Sequence, residues 1–320
     1  MRISRVVASL GPAALLACAT VRPPAANDVP LAAQVEAPGL LFQLLYTSAD
    51  APEVARIRAG LLSAGPRLSR WGSFRQGVWI RVFPDHESLE EAVDRRGYPW
   101  LRAWAFGDQI LLQSPRSWSP VPGAAASAEL DELLTHELTH ALMYQLIEPE
   151  DGPLFSPDTP LEEPPLWFRE GMASVTAGQG HRRLSGDDLA AWLLVHPGAN
   201  LMNPSAELYR TEKEAVYGAA HRAFDLLVAT SGDQAVRDVL RGVRSGARFA
   251  DAFKAATGRG LSEFEQTAIR THFAAEPEPL SGLRTWARRT RARAARAGGP
   301  SPCGCAAARS RSPGPSAPRC

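Results

Sequence analysis

The run His136-Glu137-Leu138-Thr139-His140 sets two histidines four residues apart, with a glutamate directly after the first. On a helix, side chains at i and i+4 share one face a turn apart, so two imidazoles can grip a single ion. Glu137 then sits about 100° round the helix axis from His136. It flanks the ion and can meet a water there instead of ligating. The surrounding residues supply such a helix. Ser127 can cap it, and Leu130, Leu134, Leu138, Ala141 and Leu142 form a buried stripe reaching to about Ile147.

A hydrolytic zinc site needs three protein ligands and one open position, so a third ligand must come from elsewhere in the chain. Glu170 is the candidate. It stands thirty residues after His140 in Pro165-Leu166-Trp167-Phe168-Arg169-Glu170-Gly171-Met172-Ala173. Pro164-Pro165 suits the first turn of a second helix, from Leu166 to about Ala177, which can pack against the first. A glutamate among Leu166, Trp167, Phe168 and Met172 is costly to bury unless a cation compensates it. The plainer alternative pairs Glu170 with Arg169 or Arg222 on a solvated face.

These motifs resemble those of the gluzincins, and within them the peptidase MA-like families related to thermolysin and to aminopeptidase N. The resemblance rests on His136-Glu137-x-x-His140, on Trp-x-x-Glu-Gly-x-Ala from Trp167 to Ala173, and on the segment Ala215-Val216-Tyr217-Gly218-Ala219-Ala220. The closing segment from Phe249 to Glu265 adds to it, and the likeness covers roughly residues 40 to 275. It implies a zinc peptidase in which His136, His140 and Glu170 hold Zn2+, Glu137 is the general base, and Tyr217 donates to the oxyanion. His221, one turn beyond Tyr217, is the alternative donor. A small sheet in front of the metal helix is implied as well, with Ile110 to Gln113 as the edge strand that takes an extended peptide.

The sequence also departs from the family pattern. The interval between His140 and Glu170 is longer than in the named relatives and is filled by a loop with six prolines from Pro149 to Pro165. No Gly-x-Met-x-Asn-like run precedes the metal helix, so nothing supports exopeptidase action, and an endopeptidase is expected. Ser174 stands where some relatives keep an acidic partner for a ligand histidine, leaving Asp131 or Glu132 to orient His136.

Elsewhere Gly39 to Tyr46 and Gly77 to Phe83 read as strands, with a helix from Ala51 to Ser63 between them. Asp85 can cap a helix from His86 to about Arg95, and Ala103 to Gln113 reads as a hairpin turning at Gly107-Asp108. Helical patterns follow at Ser185 to Val195, Glu212 to Ala229, Gln234 to Val243, Phe249 to Ala256 and Leu261 to Phe273. The expected fold is α+β and zincin-like, a small mixed sheet packed on a mostly helical C-terminal half, spanning residues 39 to 283.

The ends point to export. Arg2 and Arg5 precede an apolar stretch from Val6 to Ala17 that is too short to span a bilayer, as in a signal peptide. Leu15-Leu16-Ala17-Cys18 is similar to a bacterial lipobox, so residues 1 to 17 are expected to be removed and Cys18 lipidated. That anchors the protein in the cell envelope, at the outer membrane if the source is Gram-negative, since Ala19 follows the cysteine. Residues 18 to 38 then read as an Ala/Pro-rich tether without fold. Residues 284 to 320 hold nine Arg, no acidic residue and Cys303, Cys305 and Cys320, and read as a disordered tail. The remaining chain carries 26 basic against 34 acidic residues, which argues against nucleic acid as a partner. A peptide or protein substrate is expected. The competing reading is an inactive zincin-fold lipoprotein that serves as a binding module.

Overall fold

The computed structural model describes residues 31–37, 40–118, 124–149 and 164–273. The export segment with Cys18, residues 150–163 of the Pro-rich loop and the tail from 284 onward lie outside these residues. Five strands form one mixed sheet: β1 (Leu31–Ala37), β2 (Leu40–Tyr46), β3 (Val78–Phe83), β4 (Ala103–Phe106) and β5 (Gln109–Gln113). Their order is β1-β2-β3-β5-β4, parallel at β2/β3 and β3/β5 and antiparallel at both ends.

Two expectations are corrected here. Leu31–Ala37, placed in the tether, is a strand paired antiparallel along all of β2. Its alternation buries Val35 against the core, a weak signal that an Ala-rich composition hides. The segment expected at the edge, Ile110 to Gln113, is instead an inner strand, because β5 pairs with β3 on one side and β4 on the other. Ala103–Phe106 forms the edge.

The helices follow the apolar periodicity. After a 3-10 turn at Ser48–Glu53 come α1 (Val54–Leu68) and α2 (His86–Ala92), the latter capped by Asp85 through Ser88 N–H at 2.8 Å. Then follow α3 (Ala124–Ile147), α4 (Leu166–Thr176), α5 (Gly186–Val195), α6 (Ala206–Thr211), α7 (Lys213–Arg244), α8 (Phe249–Thr257) and α9 (Leu261–Phe273). Ser127 lies inside α3 rather than capping it. Gly232, with φ 78° and ψ 167°, breaks α7 near its middle, which agrees with two separate helical patterns in the sequence.

Helix α3 is buried on almost every side from Leu134 to Gln145. Its polar residues therefore need internal partners. Thr135 and Thr139 return their hydroxyls to the carbonyls of Asp131 and Thr135, each at 2.7 Å. Helices α1, α4 and α7 pack against α3. The α4/α7 approach is close because Gly171 offers no side chain: a Cβ there would stand 2.3 Å from the Ala220 carbonyl oxygen. Trp167, Phe168, Phe224, Phe249, Phe253 and Phe264 form the aromatic core beneath the site. No helix among the described residues is long and apolar enough to cross a membrane.

Candidate metal centre

Helix α3 brings His136 and His140 to one face, and α4 brings Glu170 against them. His136 Nε2 and His140 Nε2 are 3.2 Å apart, and Glu170 Oε2 lies 3.2 Å from the first and 3.5 Å from the second. All three residues are buried. The triangle has the size of one face of a zinc tetrahedron, since ligand bonds of about 2.0–2.1 Å give edges of about 3.3–3.4 Å. Glu170 Oε2 faces the two imidazoles and no other donor among the described residues. Such an atom is costly to bury unless a cation meets it. Two nitrogens and one carboxylate oxygen converging in this way can hold a metal ion, and the donor set indicates Zn2+.

The charges agree with that geometry. Burial holds His136 down to about 4, so its imidazole is neutral at physiological pH. Burial also pushes His140 down, but the carboxylates of Glu170 and Glu137 outweigh it and the net shift is upward. For Glu170 burial acts upward and is overcome by the two histidines, which hold the carboxyl well below its usual range. Glu137 ligates nothing in this triangle. Burial, partly offset by His140 and reinforced by Glu170, raises its carboxyl to about 7. A carboxylate poised near neutrality can take up and release a proton.

His136 Nδ1 lies 3.1 Å from Gln179 Oε1. An amide oxygen only accepts, so Nδ1 carries the proton and Nε2 presents its lone pair to the centre. Gln179 Oε1 also accepts from Arg183 Nη2. Neither Asp131 nor Glu132 takes this role. Glu132 pairs with Arg182 at 2.8 Å, and the Asp131 side chain faces Gly60 of α1. Gln179 follows Gly178, whose φ of 71° turns the chain back toward α3 at the end of α4. Only that glycine signalled the turn, and it did not say where the next side chain would point. Ser174 instead bonds His221 Nδ1 at 3.0 Å and receives Arg183 Nε at 3.0 Å.

Tyr217 and His221 are thereby separated. Tyr217 lines the cavity above the metal face, its ring centroid 6.1 Å from that of His136, whereas His221 faces Ser174 and Gly180. The Tyr217 hydroxyl lies 3.0 Å from that of Tyr209, and burial raises both phenols well above their ordinary pKa. Glu170 is not paired with Arg222, which donates to the Leu184 carbonyl. The cavity measures about 580 Å³ and runs along the edge strand β4 to the metal face.

No family model matches the sequence, and no curated protein matches it. Solved structures do. An aminopeptidase A of Legionella pneumophila, in complex with aspartic acid, is 13% identical with a TM-score of 0.48, covering 76% of this chain and 28% of that one. An M1 zinc metallopeptidase of Deinococcus radiodurans, bound to a Tyr-Ser-Ala substrate, is 17% identical with a TM-score of 0.36, over 81% and 51% of the two chains. An aminopeptidase N family protein of Idiomarina loihiensis is 15% identical with a TM-score of 0.34, over 80% and 46%. The chain thus spans from about a quarter to about half of these proteins. At such scores the likenesses carry no argument, and the functional reading rests on the site itself.

Proposed function

We propose that this protein is a zinc-dependent peptidase in which His136, His140 and Glu170 hold the metal and Glu137 is the general base. The observation that carries the reading is the triangle of 3.2, 3.2 and 3.5 Å between three buried ligand atoms, with a second buried carboxylate, that of Glu137, beside it. Zinc bound there would lower the pKa of a water to about 7 and polarise the scissile carbonyl. Glu137 takes a proton from the attacking water on its carboxylate and returns it to the leaving amine. Tyr217 stays protonated at neutral pH and donates to the carbonyl oxygen as charge builds there. Gln179 keeps His136 in the tautomer that faces the metal. The free edge of β4 pairs with an extended peptide backbone.

Cleavage within a chain is favoured over removal of an amino-terminal residue. A free α-ammonium is received best by a spare carboxylate, and the described cavity lining offers only Glu137 and Glu170, which this reading uses as base and metal ligand. We also propose, from Leu15-Leu16-Ala17-Cys18, that lipidated Cys18 anchors the protein in the envelope. Mass spectrometry of the mature amino terminus tests that separately, and an unmodified terminus elsewhere would refute it.

The test of activity is metal content and cleavage of a peptide library by the wild type beside Glu137→Gln and Glu170→Ala. The expected pattern is one zinc per chain and turnover in the wild type, zinc without turnover in Glu137→Gln, and lost zinc in Glu170→Ala. Zinc retained with no cleavage by any variant would favour the inactive binding module.

A further inference from the structure

The cavity over the metal face is electropositive beyond what the peptidase reading requires. Its described lining includes Arg95, Arg102, Arg169, Arg183 and Lys213 against two carboxylates, Glu137 and Glu170, and bound zinc would add two further positive charges. Arg95, Arg102 and Arg183 make no ion pair with a carboxylate among the described residues, and Lys213 has only a 3.8 Å contact with Glu214. Aromatic rings flank these cations, and Arg183 also donates to the neutral groups Gln179 Oε1 and Ser174 Oγ. Arg95 lies 5.1 Å over Trp104, Arg102 5.5 Å over Trp118, Arg183 4.9 Å over Tyr217 and Lys213 5.3 Å over Trp100.

A ring fixes the position of a cation without neutralising it, so the charge stays available to a ligand. The placement along the substrate path is consistent. Arg102 immediately precedes the edge strand, and Lys213 lies one turn before Tyr217 on α7. Lys213 is half-buried and its pKa is lowered, first by burial and then, against the pull of Glu214, by Arg183 and Arg102, so the three cations share one region. Like charges that outnumber their counterions are unfavourable in the free protein, and an anion entering the cavity relieves them.

We infer that the cavity selects peptides bearing a carboxylate, which Arg102 and Lys213 receive while the backbone lies along β4. The inference rests on the peptidase reading for the kind of ligand, but binding tests it without turnover. The carboxylate has two sources, an Asp or Glu side chain or the carboxyl terminus of the peptide, and the experiment separates them.

Zinc-loaded Glu137→Gln protein is titrated by fluorescence anisotropy with four labelled peptides of one length, Glu-containing or Gln-containing, each with a free or an amidated carboxyl terminus. The expected result is binding at least about tenfold tighter for peptides carrying the relevant carboxylate, shrinking between 50 and 500 mM NaCl as ions screen the cavity. The same preference should fall to near unity in the triple variant that adds Arg102→Gln and Lys213→Gln. A preference carried by the Glu peptides assigns the side chain, and one carried by the free termini assigns the chain end. Equal affinity for all four overturns the inference, as does a preference unchanged by salt. If the triple variant does not fold, Glu137→Gln with Arg102→Gln alone replaces it, and a preference that variant leaves unchanged overturns the inference. Peptidase failure reads out differently, as wild-type protein that binds these peptides and cleaves none.

Discussion

Gln179 Oε1 lies 3.1 Å from His136 Nδ1 and also accepts from Arg183, so a single amide oxygen fixes the ring of one metal ligand. Partners of this kind usually account for about 10–100-fold in metal affinity. Gln179→Ala is expected to weaken zinc binding by that factor in a competitive chelator titration, while Gln179→Glu keeps it. Unchanged affinity in the alanine variant would show that helix α3 alone sets the ring.

Tyr217→Phe removes one hydroxyl from above the metal face and leaves the ring that stacks on Tyr209. If the phenol donates to the developing oxyanion, kcat should drop about 100-fold with zinc content unchanged. Tyr209→Phe, one hydrogen bond further out, should cost much less. His221→Ala is expected to act on stability rather than on kcat, since His221 bonds Ser174. Equal kcat losses in the Tyr217 and His221 variants would return the oxyanion role to an open choice.

Gly171→Ala drives a methyl group to 2.3 Å from the Ala220 carbonyl and 2.5 Å from Phe224 Cβ. Backbone cannot yield as a flexible side chain does, so the overpacking cost should reach at least about 1–3 kcal/mol in urea unfolding. Glu170 is the adjacent residue, so part of the zinc should be lost as well. A variant with wild-type stability and full zinc would mean that α4 and α7 are free to separate.

Asp50, fully buried, accepts from Ser114 and Arg116 at 2.6 Å each and from Thr47 at 2.7 Å. Burial acts to raise its pKa, but these donors outweigh it and the net shift is downward. A depressed folded pKa stabilises the protein above the unfolded value of about 3.9 and loses that contribution as pH falls through the folded value. Asp50→Asn should therefore cost about 1–3 kcal/mol at pH 7, and the gap to wild type should narrow below about pH 4. A gap that stays constant with pH would trace the loss to packing.

The convergence of His136, His140 and Glu170 was legible in the sequence because each lies on a helix whose register follows from its own apolar stripe. His136 and His140 needed only the i, i+4 rule, and Glu170 needed that upstream pair together with the cost of placing a carboxylate among Trp167, Phe168 and Met172. Relations between segments distant in the chain were not legible. The hairpin from Ala103 to Gln113 was evident, but which of its strands lies outside depends on β3 pairing with β5, and no local pattern encodes that choice. Gln179 escaped for the same reason, since its approach to His136 depends on how α4 lies across α3. Strand β1 was masked by composition, because alanine-rich runs look alike whether they are tethers or edges of a sheet.

The edge at β4 is four residues long, which corresponds to about 13–14 Å of extended backbone. A partner laid along it must present free N–H and C=O groups over that span, and residues inside a helix or a sheet have already committed theirs. A folded protein can therefore be engaged at its loops, ends and free sheet edges, and elsewhere only where its chain has locally come apart. If the peptidase reading holds, the rate on a native target whose cleavable segment lies inside a helix or sheet is limited first by that target's own opening equilibrium. Stably folded proteins with few open segments would be spared without an inhibitor, and damaged or unassembled ones would be exposed.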